Sequence, residues 1–256
     1  MHYSLSWSGG KDSTASIILA HEHGEPIDSI LFSEVMFDKQ NGISGENPRH
    51  IEFVKNKAKP LFESWGYKVY ILHAQKDFLD VFNRVIEKPR KRMEHKGKKY
   101  GFCVTGLCSV KRDCKLKPLY DFYKEIDDEI TQYVGIGIDE PQRLESLRKQ
   151  SGAISLLEKY GYTEQMAKEL CVQYNLLSPS YELTKRNGCW FCPNAKLVEH
   201  KEIRKLMPDV WRRFIELENE DNVANYLWNP YTKETLHERE EVLLWDERQM
   251  TIFDFI

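Results

Sequence analysis

The residues best suited to do chemistry lie in the segment 8–13, which reads SGGKDS. Glycines let backbone N–H groups come close to a phosphate, and the N-terminus of a following helix favours the same negative charge. Lys11 supplies a point charge, and Ser8 and Ser13 supply hydroxyl donors. These residue types at this spacing predict an anion site suited to the phosphates of a nucleotide.

A strand, a turn and a helix must position this segment. Tyr3, Leu5 and Trp7 alternate with other residues and predict a short strand, and the mainly apolar run 15–20 predicts the start of a helix. The pattern is not a Walker A loop, because Leu5 stands where that loop needs a glycine. Asp12 stands where it needs Ser or Thr.

The chain contains six cysteines, five of which fall in two groups. Cys189 and Cys192 form a CxxC pair, and two thiolates at this spacing can bind one metal centre. The upstream group consists of Cys103, Cys108 and Cys114. Two ligands from each group would make a four-thiolate site for an iron–sulfur cluster, with Zn²⁺ as second choice. We predict Cys108, Cys114, Cys189 and Cys192 as ligands, with Cys103 as the alternate for the upstream pair.

The CxxC pair admits two other interpretations: core thiols, or a thioredoxin-like redox pair. Thioredoxin motifs lie between a strand and a helix, whereas this pair follows a predicted helical region. The sixth cysteine, Cys171, lies in a helical pattern with Met166 and Leu170. It is predicted to be a buried apolar residue.

Composition and length restrict the class of protein. The 256 residues fit one large domain, or one domain with a helical appendage, and 30% of them are charged. The first residues show no basic start followed by an apolar core, and no apolar run approaches the ~20 residues that cross a bilayer. We therefore expect a cytoplasmic protein without a membrane partner, whose clustered cysteines do not form disulfides.

Positive charge is concentrated in residues 88–117, which hold eleven Lys or Arg and two acids although the whole chain carries −3. One interpretation is a solvated loop. The other is an electropositive patch for a polyanion, either the phosphates of the nucleotide or a nucleic acid.

Apolar periodicity predicts alternating strands and helices up to Pro141. Strands are predicted at 29–35, 68–72 and 131–138, and helices at 47–65, 77–87 and 116–126. Pro60 is the position at which the first of these helices could kink. This alternation predicts an α/β fold with a parallel sheet covered by helices on both faces. Residues 145–177 and 199–228 are predicted to be helical. The expected domains are therefore 1–144, which binds nucleotide, and 145–256, a helical region with the CxxC pair and a tail.

The order Ser-Gly-Gly-Lys-Asp-Ser resembles the PP-loop of the ATP pyrophosphatase superfamily. The resemblance implies an adenine nucleotide α-hydrolase-like fold and an adenylyl nucleotide cleaved between its α and β phosphates. It implies that Lys11 and Asp12 are catalytic, Asp12 capping the helix and helping to hold Mg²⁺ if ATP is used. The implied nucleotide contacts are Ser8, Gly9, Gly10, Lys11, Ser13 and Thr14.

Three further segments resemble the phosphoadenosine phosphosulfate (PAPS) reductase branch of that superfamily. Residues 108–119 resemble its cysteine followed by Lys-x-x-Pro, and 135–143 its glycine-led strand, acidic pair and arginine. Residues 177–193 resemble its Pro-x-Tyr, Arg and Gly-Cys-x-x-Cys-Pro run. The implied contacts to sulfate or phosphate are Lys115, Arg143 and Arg186, of which Lys115 and Arg143 are implied to be catalytic. The cofactors expected with this resemblance are a [4Fe–4S] cluster and either ATP or PAPS.

One departure from the branch bears on activity. PAPS reductases resemble one another in a C-terminal nucleophilic cysteine, whereas the last cysteine here is Cys192. This favours relatives that use ATP to activate a substrate for sulfur transfer, such as enzymes of DNA phosphorothioation and tRNA thiolation. The alternative is a nucleic-acid-associated binding module that retains the fold as a nucleotide sensor.

The tail adds one more hypothesis. Residues 249–253 read Gln-x-x-Ile-Phe and resemble the short peptide that docks on the bacterial sliding clamp. The alternative is an apolar segment that folds back onto the core.

Overall fold

The computed structural model describes residues 1–89, 91–104, 106, 108–185 and 187–253, without the side chains of 249–253. The strands are β1 (His2–Trp7), β2 (Ser29–Glu34), β3 (Met36–Asp38), β4 (Ile43–Ser44), β5 (Val69–His73), β6 (Lys99–Gly101), β7 (Ile130–Val134), β8 (Ala153–Ser155) and β9 (Val223–Asn225). The α-helices are α1 (Lys11–His23), α2 (Pro48–Phe53), α3 (Lys59–Ser64), α4 (Phe78–Asn83), α5 (Lys117–Lys124), α6 (Pro141–Arg148), α7 (Leu156–Lys159), α8 (Glu164–Gln173), α9 (Leu197–Leu206), α10 (Pro208–Glu216) and α11 (Leu236–Phe253). Within the described residues, no helix combines the length and apolar character needed to cross a membrane.

The chain forms two compact units that alternate along the sequence. Unit 1 comprises Met1–Glu34, Pro48–Ala74 and Lys115–Asn187. Unit 2 comprises Val35–Asn47, Gln75–Cys114 and the described residues from 188 onward. The sequence predicted a single domain boundary after residue 144, whereas the chain passes from one unit to the other several times.

The predicted α/β fold class is confirmed in unit 1. Its sheet has five parallel strands in the order β5-β2-β1-β7-β8. All six residues of β2 are buried. This is typical of an interior parallel strand covered on both faces.

Alternate residues of β1 show which helices cover each face. Leu5 and Trp7 belong to the core cluster that contains residues of α1. The hydroxyls of Ser4 and Ser6 lie 3.3 and 3.4 Å from the hydroxyl of Tyr123 on α5. Because successive side chains of a strand point to opposite faces, α1 and α5 cover opposite faces of the sheet.

The predicted helix over 47–65 is interrupted. A π-helical turn, Val54–Ala58, separates α2 from α3, and the N–H of Lys59 donates to the carbonyl of Val54. Pro60 has no N–H to donate, and a proline commonly disturbs the hydrogen bonds of the preceding turn. The helix in which Pro60 allowed a kink is therefore two helices joined by one wide turn.

The predicted helix over 77–87 is shorter than expected. Asp77 caps its start and accepts a hydrogen bond from the N–H of Asp80 at 2.8 Å. The helix ends at Asn83, because Arg84 leaves the helical region with φ −58° and ψ 123°. The chain then forms an isolated bridge between Val85 and Lys99.

Two strands fall in the region predicted to be mostly helical. β8 pairs with β7, and β9 pairs with β6. Each has three residues, too few for an alternating pattern to be distinguished from a helical one.

Unit 2 is built around aromatic side chains. Phe37 of β3 lies 4.7 Å from Trp190 between ring centroids, and Phe78 of α4 lies 4.3 Å from Phe191. Phe214 of α10 packs against the same group. The aromatic residues beside the CxxC pair are therefore part of the core of this unit.

Candidate anion site and cysteine group

The turn between β1 and α1 consists of residues 8–10 in unit 1. Gly9 has φ +69°, a left-handed conformation that favours glycine. A Cβ atom on Gly9 would lie 2.5 Å from Cε1 of His50. Both the backbone conformation and the adjacent imidazole therefore require glycine here.

Hydrogen bonds to the hydroxyl groups of Ser8 and Ser13 stabilise this turn. Ser8 Oγ and Ser13 Oγ lie 3.1 Å apart, and the N–H of Gly10 donates to Ser8 Oγ at 3.3 Å. Thr14 is fully buried, and its hydroxyl accepts from the indole N–H of Trp7 at 3.0 Å. The hydroxyls of Ser8 and Ser13 thus lie at the turn, while the hydroxyl of Thr14 lies in the core.

Lys11 is held between carboxylates. Its Nζ lies 2.8 Å from Asp12 Oδ1 and 3.3 Å from Glu164 Oε1. Burial disfavours the ammonium, but the hydrogen bond and charge of Asp12, with the charge of Glu164, outweigh this and raise the pKa of Lys11. Burial, with the nearby Glu164 and Glu140, raises the pKa of Asp12, and Lys11 offsets only part of the effect. A charged ammonium therefore stands at the turn at neutral pH.

Tyr181 and Asn187 also line the turn, although sequence reasoning assigned them no role. The N–H of Lys11 donates to Tyr181 Oη at 3.0 Å. A Cβ atom on Gly10 would lie 3.2 Å from that hydroxyl and 3.7 Å from Asn187 Nδ2. Both residues lie in segments noted for their motifs, but no signal in the sequence linked them to the turn.

His50 supports the turn from beneath. Its Nε2 lies 3.1 Å from the carbonyl oxygen of Ser8, and its Nδ1 lies 2.8 Å from Ser178 Oγ. A carbonyl only accepts, so Nε2 donates to it, while Nδ1 is hydrogen-bonded to the serine hydroxyl. Ser178 in turn bonds Ser180 at 2.8 Å. This buried chain of hydrogen bonds fixes the backbone at the start of the turn.

Two of the predicted cations lie on either side of the turn at the carboxyl edge of the sheet. Ser33 Oγ donates to the carbonyl oxygen of Lys115 at 2.7 Å, which places Lys115 beside the end of β2. Arg143 lies in the first turn of α6 after β7, and its guanidinium pairs with Glu140. Because β2, β1 and β7 are neighbours, the two cations and the turn share one edge. Arg186 lies outside the described residues.

Glu34 is a further residue at this edge that sequence reasoning missed. It ends β2 and is 1% exposed. Its carboxylate lies 2.9 Å from Lys55 Nζ and 2.8 Å from His73 Nε2. A buried carboxylate is thus neutralised beside the strand that carries the turn.

The upstream cysteines lie in unit 2, where Cys103 and Cys108 are hydrogen-bonded to each other. The N–H of Lys111 also donates to Cys108 Sγ at 3.3 Å. The hydrogen bond from Cys103 and the backbone N–H groups of Lys111 and Val110 lower the pKa of Cys108 to about 6. The same hydrogen bond, together with burial, raises the pKa of Cys103 well above its usual value.

Cys114 has a different environment. It is fully buried, and its thiol donates to the carbonyl oxygen of Asp77 at 3.5 Å. Burial, with the nearby carboxylates, raises its pKa to about 12. Among the described residues, no three His, Cys, Asp or Glu side chains are grouped so that they could hold a metal ion. This holds both for the predicted ligand set and for its alternate with Cys103, so the choice of ligands stays a prediction.

The basic segment and the tail are only partly described. Lys91, Arg92 and Lys96 are exposed, whereas Lys99 pairs with Glu220. Residues 249–253 form the end of α11, and their side chains lie outside the described part. The sliding-clamp hypothesis stays a prediction.

Comparisons with known proteins find similarity to a solved structure but no matching family model or curated protein. Among solved structures, the chain is similar to U34-tRNA thiolase NcsA from Methanococcus maripaludis, solved with its [4Fe-4S] cluster. The two are 14% identical, the match covers 95% of this chain and 72% of that chain, and the TM-score is 0.41.

Proposed function

We propose that this chain is an enzyme that binds an adenylyl nucleotide at the turn between β1 and α1. It acts at the α-phosphate to activate a substrate for sulfur transfer. The observation that carries the proposal is the turn itself, where Gly9, paired hydroxyls and Lys11 meet at the N-terminus of a 13-residue helix. The N-terminus of this helix and the ammonium of Lys11 bring positive charge to the same turn, which suits phosphate.

ATP is the nucleotide that we propose. Sulfate reduction needs a thiolate nucleophile, and residues 193–256 contain no cysteine. ATP activation needs no such thiolate. The resemblance of residues 8–13 to the PP-loop supports cleavage of ATP between its α and β phosphates.

In the proposed step, a nucleophilic oxygen of the substrate attacks the α-phosphorus. The bond between that phosphorus and the bridging oxygen breaks, and pyrophosphate leaves with the electron pair. Negative charge grows on the leaving group, where fixed cations and N–H donors stabilise it. Lys11 is the candidate for this role, and its ammonium would exchange its present partners, Asp12 and Glu164, for phosphate.

A nucleic acid, either DNA or tRNA, is the substrate class that we propose. The basic segment 88–117 carries the excess of positive charge, with exposed Lys91, Arg92 and Lys96. Such a patch neutralises backbone phosphates without reading sequence. The same charge also suits the alternative, a binding module that senses nucleotide without turnover.

The substitution Lys11→Ala tests the enzyme proposal. Loss of charged hydrogen bonds of about 1.5–3 kcal/mol should weaken ATP binding by about 10- to 100-fold and abolish release of pyrophosphate. Lys149→Ala is the matched control, because Lys149 is exposed and pairs with Glu145 at the C-terminal end of α6. Binding of ATP without any release of pyrophosphate, in the presence of nucleic acid, would favour the sensor module.

A further inference from the structure

Much of the positive charge of unit 2 lies in a hairpin. Residues 84–89 and 91–100, here called the basic hairpin, fold back on themselves. The N–H of Ile86 donates to the carbonyl oxygen of Lys98 at 2.9 Å, and the N–H of Gly97 donates to the carbonyl oxygen of Ile86 at 2.9 Å. These backbone hydrogen bonds join the two arms, so the base of the basic hairpin has a defined structure.

The basic hairpin is attached to β9. Its second arm continues into β6, which pairs in parallel with β9. The N–H of Lys99 donates to the carbonyl oxygen of Asn222 at 2.9 Å, and Nδ2 of Asn222 donates to the carbonyl oxygen of Gly97 at 3.1 Å. A Cβ atom on Gly101 would lie only 2.4 Å from the carbonyl oxygen of Asn225, its partner in register. Strand β9 is therefore packed closely against the base of the basic hairpin.

Tyr226 directly follows β9, and its side chain is 63% exposed. In the part of the chain that the structure describes, this side chain makes no hydrogen bond, ion pair or ring contact. Four residue steps separate Tyr226 from Asn222 at the base of the basic hairpin, about 13 Å along an extended chain. Single exposed apolar side chains are common on protein surfaces, so the ring indicates a partner only through its neighbours.

The basic hairpin carries unpaired positive charge and exposed apolar side chains together. Its described residues hold seven Lys or Arg against two Glu. Lys91, Arg92 and Lys96 are exposed and form no ion pair among the described residues. Met93 is 68% exposed and Val85 is 53% exposed. Exposed apolar groups add nothing to a loop that is only solvated, whereas they suit a partner that has both anionic and apolar groups.

An unpaired stretch of nucleic acid has both kinds of group. The phosphates of any nucleic acid attract exposed cations without regard to sequence. In a duplex the bases stack on one another, which leaves only their edges open to side chains. Unpaired bases can instead stack on aromatic side chains and on arginine guanidinium groups. A basic surface with an exposed tyrosine therefore favours single strands over duplex.

We propose that the basic hairpin and Tyr226 bind a stretch of unpaired nucleotides. One base stacks on the ring of Tyr226, and Lys91, Arg92 and Lys96 hold the phosphates. This role rests on the nucleic-acid substrate of the proposed function, and it narrows that substrate to one with a loop, a bulge or a single-stranded end. Every base has a π-face, so the surface accepts RNA and DNA alike.

Fluorescence anisotropy with oligonucleotides of about 12 nucleotides, a length within the range of single-strand sites, tests this role. The probes are single-stranded RNA, single-stranded DNA and a DNA duplex of the same length. Tyr226→Ala in the full chain should weaken binding of both single strands by about 5- to 150-fold and leave duplex binding unchanged. Tyr226→Phe keeps the ring and should bind like wild type.

Tyr120→Ala is the matched control, because Tyr120 is a 58% exposed tyrosine of α5 in unit 1. It should leave the binding of all three probes unchanged. Stacking releases no counterions, so Tyr226→Ala should also keep the wild-type slope of log affinity against log salt. Circular dichroism verifies that each variant is folded.

Unchanged single-strand binding in Tyr226→Ala would overturn the role of Tyr226, and so would an equal loss of single-strand and duplex binding. Vesicles that contain phosphatidylserine are the remaining probe. If Tyr226→Ala abolished vesicle binding and left single-strand binding intact, the surface would belong to lipid.

ATP titration separates this role from the proposed function. Tyr226 lies outside the turn after β1, so Tyr226→Ala should bind ATP like wild type. Wild-type ATP binding together with a failed single-strand result removes only the role of the basic hairpin and Tyr226. Selective single-strand binding by a wild-type protein that does not bind ATP removes the enzyme proposal and supports the surface.

Discussion

At the scale of single residues, the turn after β1 depends on Gly9. Alanine at this position must adopt φ near +69° and meet His50 Cε1 at 2.5 Å. The left-handed conformation costs about 1–2 kcal/mol, and the overpacking adds about 1–3 kcal/mol. We expect Gly9→Ala to lower the free energy of unfolding in urea by the sum of these terms and to abolish ATP binding.

Gly24 provides the matched control. It also has a left-handed φ, +65°, but a Cβ atom there meets nothing within 4 Å. Gly24→Ala should show the conformational cost without the clash, and should leave ATP affinity unchanged because it lies at the other end of α1. Equal losses of stability in the two variants would contradict the account of the close contact with His50.

Sequence reasoning identified the residues of this site that are adjacent in the chain and missed those that are far apart in it. Residues 8–13 were identified because helix dipole, glycine and lysine lie within six positions. His50 and Tyr181 contact the same turn from far along the chain. Neither residue belongs to a local sequence pattern that predicts its contact with the turn, so these contacts are apparent only in the folded chain.

At the scale of elements, an ion pair joins α10 to β3 in unit 2. Arg213 lies 2.7 Å from Asp38, whose carboxylate also accepts from Asn41 at 2.7 Å. Burial by itself would raise the pKa of Asp38, but the hydrogen bonds from Asn41 and Arg213 outweigh it and hold the pKa below 3.8. We expect Arg213→Ala to cost about 1–2 kcal/mol of unfolding free energy at pH 7.

The pH dependence of this cost follows from the lowered pKa. Stability from the charged Asp38 is present above pH 3.8 and is lost as pH falls through the lower folded-state pKa. The difference between wild type and Arg213→Ala should therefore shrink in urea titrations carried from pH 7 to below pH 3.8. Arg212→Ala is the control, because Arg212 and its partner Asp209 are 69% and 86% exposed. A penalty for Arg213→Ala that stayed constant with pH would contradict the role of Asp38.

Long or strongly patterned elements were predicted well, and short or interrupted ones were not. The first two strands and the sheet class follow from alternation and buried apolar runs. The π-helical turn Val54–Ala58 was missed because apolar spacing does not show which hydrogen bonds shift before Pro60. The three-residue strands β8 and β9 were missed because their pairing partners, not their own residues, define them.

At the scale of the whole molecule, the uneven distribution of charge along the chain predicts how the protein binds a polyanion. Residues 88–117 hold a large positive excess in a chain whose net charge is −3. Replacing Lys91, Arg92 and Lys96 with alanine should weaken binding to tRNA or duplex DNA. It should also reduce the slope of log affinity against log salt by up to about 0.7–0.9 per removed phosphate contact.

A variant with the same change in net charge separates a local patch from overall charge. Lys124, Lys149 and Lys168 are exposed residues of unit 1, and their replacement by alanine removes three positive charges elsewhere. We expect this control to keep the wild-type slope in filter-binding or fluorescence anisotropy measurements. An equal reduction in both triple variants would show that net charge, not the basic segment, sets the affinity.

The most direct test of the central claim is anaerobic calorimetric titration with ATP and, separately, with PAPS, on wild type, Lys11→Ala and Lys149→Ala. We predict preferential binding of ATP that Lys11→Ala weakens by at least tenfold and Lys149→Ala leaves unchanged. Preferential binding of PAPS, or ATP binding that is indifferent to Lys11, would contradict the proposal that the turn after β1 binds ATP for substrate activation.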